Sequence, residues 1–271
     1  MTSFNLRRWT RWIALALVFS VACGFLANWQ LDRRTQIVKV IQRVERNYDH
    51  QRVGLATMVP IKSSFKLSRE YRRVWVAGRY LSLKPTLIRN RPMDGDQGFQ
   101  EVFPFQLTSG EVIFIDRGWL PTGDSPSMPN ETPVPSGGNV TLVGRLRQAE
   151  PLDSRSAPSG QAQSITPSAL AKRYGVAPGS LYSGCYLLLE QESPAAAFGK
   201  LAQKPSLDEG NHLSYAFQWV IFAIMSFLAI AWGIRQERLQ LKAANDPGFV
   251  VKKRKRVGDA DKEAEDAILG D

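Results

Sequence analysis

Two uninterrupted apolar blocks stand near the ends of the chain, and the hydrophobic residues between them fall in short alternating runs. From Ile13 to Ala27 no residue is charged and Ser20 is the only polar interruption. Leu213 to Ile234 again carries no charge. A helix needs roughly 20 apolar residues to cross the hydrocarbon of a bilayer. The second block meets that length outright. The first meets it when Trp12 and Trp29 are counted as interfacial anchors, where indole rings prefer to sit. The pattern predicts transmembrane helices over residues 12–31 and 212–234.

Arg7, Arg8 and Arg11 would also suit the basic region of a signal peptide. Against that reading, Asn28-Trp29-Gln30-Leu31-Asp32 offers only bulky or polar residues where a cleavage site would need small ones. An uncleaved anchor is therefore expected. The stretch ahead of it is too short for an organellar transit peptide, which favours a bacterial plasma membrane. Basic residues also follow the second span, at Arg235, Arg238, Lys242 and Lys252 to Arg256. The positive-inside rule then places residues 1–11 and 235–271 in the cytoplasm and 32–211 outside. Arg33, Arg34 and Lys39 argue the other way, but long loops translocate largely regardless of charge.

Beyond Leu31 the apolar residues Ile37, Ile41, Val44 and Tyr48 keep helical spacing among charged neighbours, so the first span is expected to continue as an amphipathic helix. Its apolar stripe could pack on the outer domain or lie along the membrane surface. The pattern then changes to strands at Val74–Tyr80, Thr86–Arg89, Phe99–Leu107, Val112–Ile115, Val140–Leu146 and Tyr186–Leu189. Thr108-Ser109-Gly110-Glu111 joins two of them as a hairpin. Pro104 suggests an edge or a bulge, and Ser168–Tyr174 a short helix. The expected fold is membrane α+β: two transmembrane helices flanking an antiparallel β-rich domain, a small barrel or sandwich. Long helical crossovers are missing, which argues against parallel architecture.

The chain has 271 residues and a net charge of +10, most of it in the outer segment. That excess is mild, and it cannot meet chromosomal nucleic acid from outside the cell. The basic run Lys252–Arg256 could hold anionic lipid or belong to a solvated tail. Cys23 sits in a span and Cys185 in the domain, and no paired-cysteine motif is present.

Raw material for catalysis is poor. His50 and His212 are the two histidines, and no nucleophile elbow, zinc helix or phosphate loop appears. The protein is not expected to be an enzyme. Asp116-Arg117-Gly118-Trp119-Leu120-Pro121 places an acid, a base and an indole at a strand end. Two readings fit it: a packed glycine bend with Arg117 on an Asp or a carbonyl, or a partner contact through Arg117 or Trp119. At the second span His212, Tyr215, Ala216 and Trp219 share one helical face, and Trp29 and Gln30 lie in the same leaflet. An imidazole beside aromatic rings could seat a flat apolar cofactor, and imidazole is a normal axial ligand of haem iron. The alternative is an interfacial histidine bonded to lipid or loop.

Together these residues resemble the surfeit locus protein 1 family of cytochrome c oxidase assembly factors. The resemblance rests on Asn28-Trp29-Gln30-Leu31-Asp32-Arg33, Gly78-Arg79-Tyr80 and Asn90-Arg91-Pro92, on Val112 through Pro121, and on Asn211 through Trp219. It implies a non-enzymatic factor that helps deliver haem a to subunit I of an aa3-type oxidase, with haem a synthase as a further partner. The histidine opening the second span is implicated in haem binding in bacterial relatives, and here it is His212. A scaffold that stabilises an oxidase subunit without touching haem is the alternative.

Overall fold

The computed structural model describes residues 4–61 and 63–246. The basic run Lys252–Arg256 lies outside the described residues. In chain order the elements begin with helix α1 (Leu6–Asn47), strand β1 (Val53–Gly54) and helix α2 (Leu55–Met58). Strands β2 (Arg73–Tyr80), β3 (Thr86–Ile88), β4 (Gly98–Leu107), β5 (Val112–Pro121), β6 (Val140–Gln148) and β7 (Gln161–Ala162) follow. Helix α3 (Pro167–Ala171), strand β8 (Cys185–Ser193) and helix α4 (His212–Asn245) complete the chain. Two compact units result, one of residues up to Gln36 with those from Glu209 onward, the other of Ile37–Asp208.

In the first unit, α1 and α4 are long and apolar enough to cross a membrane. At 1.5 Å per residue α1 is about 60 Å long, so it outruns the bilayer and continues into the second unit. There the amphipathic stripe packs on the domain: Ile41 and Val44 are buried. The Arg43 guanidinium bonds the Glu70 carboxylate at 2.6 Å, and the Asn47 amide donates to the carbonyls of Ser68 and Glu70, both at 2.7 Å.

The second unit is a sheet in the order β1-β2-β6-β8-β5-β4-β3-β7, with β2 also pairing β4. That extra pairing closes β2, β6, β8, β5 and β4 into a five-stranded barrel. Barrel neighbours are antiparallel except β5 and β8, which run parallel, a departure from the purely antiparallel expectation. The chain between them holds two strands and α3, enough to carry it back to the same end. Alternation along the strands fills the barrel. Val74 and Val76, Phe103 and Phe105, Ile113 and Ile115, Leu187 and Leu189 are buried in one cluster. Residues of the opposite face, including Ile88, Val102 and Phe114, pack under α3 with Leu170 and Ala171.

Pro104 is neither at an edge nor in a bulge. It falls where β4 changes neighbour, from β3 through Val102 to β2 from Phe105. Its carbonyl accepts Leu81 N–H at 3.0 Å, and its missing N–H faces the same gap. Strands β5 and β8 also run further than the sequence pattern indicates, to Pro121 and Ser193. Their ends carry Asp, Arg and Glu, which mask the apolar signal.

Barrel closure depends on Gly78, where β2 crosses β4. A Cβ there would lie 1.9 Å from the Gln106 carbonyl oxygen, so only glycine fits without a backbone shift. Gly78→Ala should destabilise the domain by at least about 2 kcal/mol, as overpacking against backbone does. Gly137→Ala, at a position where a Cβ meets nothing within 4 Å, should stay within about 0.5 kcal/mol of the parent. Thermal melting of both full-length variants in detergent measures the contrast, and equal melting temperatures would contradict it.

Candidate functional site

Helices α1 and α4 are tied together at three levels. Arg8 pairs with Glu237 at 2.6 Å, the Ser20 and Ser226 hydroxyls lie 3.5 Å apart, and Arg34 pairs with Glu209 at 2.6 Å. The residues the pair buries are small: Ala16, Cys23 and Ala27 on α1, Ala216 on α4. Small and hydroxyl-bearing residues suit a helix contact in lipid, where no hydrophobic difference drives association.

His212 opens α4, and its Nδ1 lies 2.7 Å from Oε1 of Gln30 on α1. With a carbonyl oxygen as partner Nδ1 is the donor, and in the neutral ring Nε2 then keeps its lone pair. Such a bond on the far nitrogen fixes tautomer and ring orientation in metal-ligating histidines. Of the six residues the sequence groups here, His212 and Gln30 are brought into contact. Trp29 and Tyr215 are 59% and 50% exposed and offer ring surface. Trp219 packs edge-on against Phe222, ring centroids 5.8 Å apart.

A second polar constellation occupies the barrel interior. Alternation along β5 carries Ile113, Ile115 and Arg117 to one face, so the guanidinium enters the core and is fully buried. Its Nε and Nη2 donate to one Glu192 oxygen at 3.2 and 2.9 Å, and Nη2 also donates to the Ala197 carbonyl at 2.8 Å. Nη1 lies 3.9 Å from Glu101 and donates to the Pro133 carbonyl at 3.4 Å. The cation also sits over the rings of Tyr80 and Phe103, at 5.5 and 5.3 Å. Gly118 follows with φ of +126° and backbone of Gly199 where its Cβ would be. That close passage lets Trp119 and Lys200 exchange backbone hydrogen bonds, both 2.8 Å, and holds the 197–200 segment over Arg117.

Of the two readings of this strand end, the burial of Arg117 and Trp119 fits the packed bend rather than a partner contact. Arg117 is enclosed by carboxylates and carbonyls. Trp119 is buried too, with its indole N–H on the Arg91 carbonyl at 2.6 Å. Neither side chain is presented at the surface. Glu101 and Glu192, the carboxylates beside Arg117, were not singled out from the sequence. The signal was available: an arginine in phase with two isoleucines must find buried counter-charges.

The same burial shifts acidities. Desolvation pushes the Glu101 carboxyl up to about 7, against the lowering influence of the Gly199 N–H and the Arg117 charge. Asp116, facing the other way, is likewise pushed up to about 7 by burial, although Gly118 N–H donates to it at 3.0 Å. Burial, with the Glu192 charge, lifts the Tyr80 hydroxyl above its ordinary range.

Removing Arg117 would strand buried carboxylates. Arg117→Leu should cost about 3–5 kcal/mol and leave little folded domain, read by melting or limited proteolysis. A stable Arg117→Leu barrel would contradict this. The raised carboxyls also set a pH slope. Between about 4.5 and about 7 the folded barrel keeps protons that the unfolded chain releases, so stability should fall as pH rises through that window. Melting temperatures at about pH 5 and pH 8 test the sign, and Glu101→Gln and Asp116→Asn should each flatten the slope.

The profile described as the SURF1 family matches residues 17–224. SURF1-like proteins of Mycobacterium bovis and Mycobacterium tuberculosis are 32% identical over 248 residues, covering 87% of this chain and 89% of theirs. A protein of Saccharomyces cerevisiae named cytochrome oxidase assembly protein SHY1 is 27% identical over 115 residues, 40% of this chain and 28% of its own. The match takes in the barrel and runs from within α1 to within α4, and the chain belongs to the SURF1 family.

Proposed function

We propose that the protein is a cytochrome oxidase assembly factor that holds haem a between its two membrane helices on the way to subunit I of an aa3-type oxidase. Membership of the SURF1 family and the printed name of the yeast relative support the assembly role. One observation carries the finer reading: the His212–Gln30 bond, which joins the helices and leaves an oriented imidazole lone pair.

The residues present fit such a cargo. Haem is apolar over most of its area, and exposing that area to water costs about 25 cal/mol per Å². Exposed rings at Trp29 and Tyr215 would cover part of it, and His212 Nε2 would bind iron. The barrel, on the extracytoplasmic side of a bacterial plasma membrane with both chain ends in the cytoplasm, would dock on the oxidase or on haem a synthase. Retention need only be moderate, because a site that binds too tightly does not release its load.

The test is purification after co-production of haem a. His212→Ala should lower haem occupancy at least about tenfold, the loss of one strong bond. Gln30→Leu should fall between it and the parent, since the ring keeps its ligand but not its orientation. Unchanged occupancy and spectrum in His212→Ala would remove the ligand role. If the His212→Ala strain also keeps full oxidase while the apo subunit disappears from a deletion strain, scaffolding without haem is the function.

A further inference from the structure

The outer face of the barrel carries a cavity of about 390 Å³ that neither the helix pair nor the Arg117 cluster uses. Arg73 from β2, Arg145 and Arg147 from β6, and Arg91 line it, and Glu150 and Glu190 are the acids on its wall. Glu190 is shared, taking Arg73 Nε and Arg145 Nη2, each at 2.6 Å. Glu150 pairs with Arg91. Arg147 lies 3.6 Å from Glu70, which Arg43 already holds at 2.6 Å, and it also hydrogen-bonds Tyr186 and sits 4.8 Å over the Tyr71 ring. Four guanidiniums against two lining carboxylates leave the wall cationic.

Unmet hydrogen-bonding capacity coincides with that charge. Arg145 is 7% exposed, stacks on the Tyr48 ring at 3.3 Å, and has a buried Nε–H with no partner among the described residues. Arg91 Nε is in the same condition. Gln100 gives its amide N–H to Asp116 at 2.8 Å, and its buried Oε1 is left without a donor. A buried polar atom left unpaired costs about 1–3 kcal/mol. Two N–H donors and one acceptor belong to residues that line one cavity with excess positive charge, a combination that suits an oxyanion also bearing a hydroxyl.

We propose that this cavity binds a phosphate group esterified to a small polyol, either as a free molecule or as the headgroup of an anionic lipid. Arginine forks match phosphate oxygens in pairs, and the ester's hydroxyl would satisfy Gln100 Oε1. The chemistry is the same for both sources, and the occupied site would stiffen the barrel where β2, β6 and β8 adjoin.

The test uses the full-length chain in maltoside micelles, which contain no phosphate. Glycerol 1-phosphate is titrated at constant ionic strength, and phosphatidylglycerol is doped into separate micelles; the melting temperature of the barrel reports occupancy. A saturable rise with glycerol 1-phosphate assigns a soluble ester, and a rise with phosphatidylglycerol alone assigns the headgroup. In either arm Arg145→Gln should weaken binding at least about tenfold, the loss of a charged hydrogen bond. Arg73→Gln, which is more exposed, serves where Arg145→Gln fails to fold and should weaken binding several-fold. Glu190→Gln removes a competing carboxylate and should tighten it, which a purely structural ion pair would not do. No rise with either ligand, or an equal rise in the parent and all variants, overturns the proposal.

Discussion

A guanidinium taken wholly out of water constrains the β unit more than any other group. Desolvating Arg117 is affordable only because Glu192, Glu101, two backbone carbonyls and two aromatic faces surround it. Those partners come from β2, β4 and β8 and from the segments around Pro133 and Ala197, so one cation gathers three strands and two crossing loops. Gly118 and Gly199 serve the same end by letting the covering backbone pass within van der Waals contact. A hydrophobic plug of equal volume could fill the barrel, but it would not dictate which loop lies over which strand end.

The helix pair follows different physics. In hydrocarbon the apolar faces of α1 and α4 gain nothing by meeting, so polar contacts and small residues must hold them. The Arg8–Glu237 pair, the Ser20–Ser226 approach and the His212–Gln30 bond do this at successive depths. His212 has a double part, since the bond that joins the helices also fixes which ring nitrogen is free.

Asp116 and Arg117 illustrate how far reading residues in order can reach. Adjacent in sequence, they look like an ion pair or a joint docking motif. The pleat sends them to opposite faces, Asp116 to Gln100 on the outside and Arg117 to Glu192 within. The outer arginines escaped notice for a related reason. Arg73 and Arg145 are far apart in the chain and become neighbours only through the β2–β6 register. Gly78, readable as part of a familiar triplet, owes its necessity to a carbonyl of β4 that sequence spacing cannot place.

The sequence by itself determined the two helices long and apolar enough to cross a membrane, the continuation of the first beyond its apolar block, the strands from Arg73 to Leu107 and the hairpin that follows. These rest on local periodicity and length, which a chain carries in its order of residues. It also marked His212 and Gln30 as belonging to one level of the membrane. Only the tertiary structure decided that the sheet closes between β2 and β4, that β5 and β8 run parallel, and that Glu192 and Glu101 are the carboxylates beside Arg117. Each of these depends on which distant segments share a register. That choice is made by complementary shape and by the need to pair buried charge, and neither has a local signature.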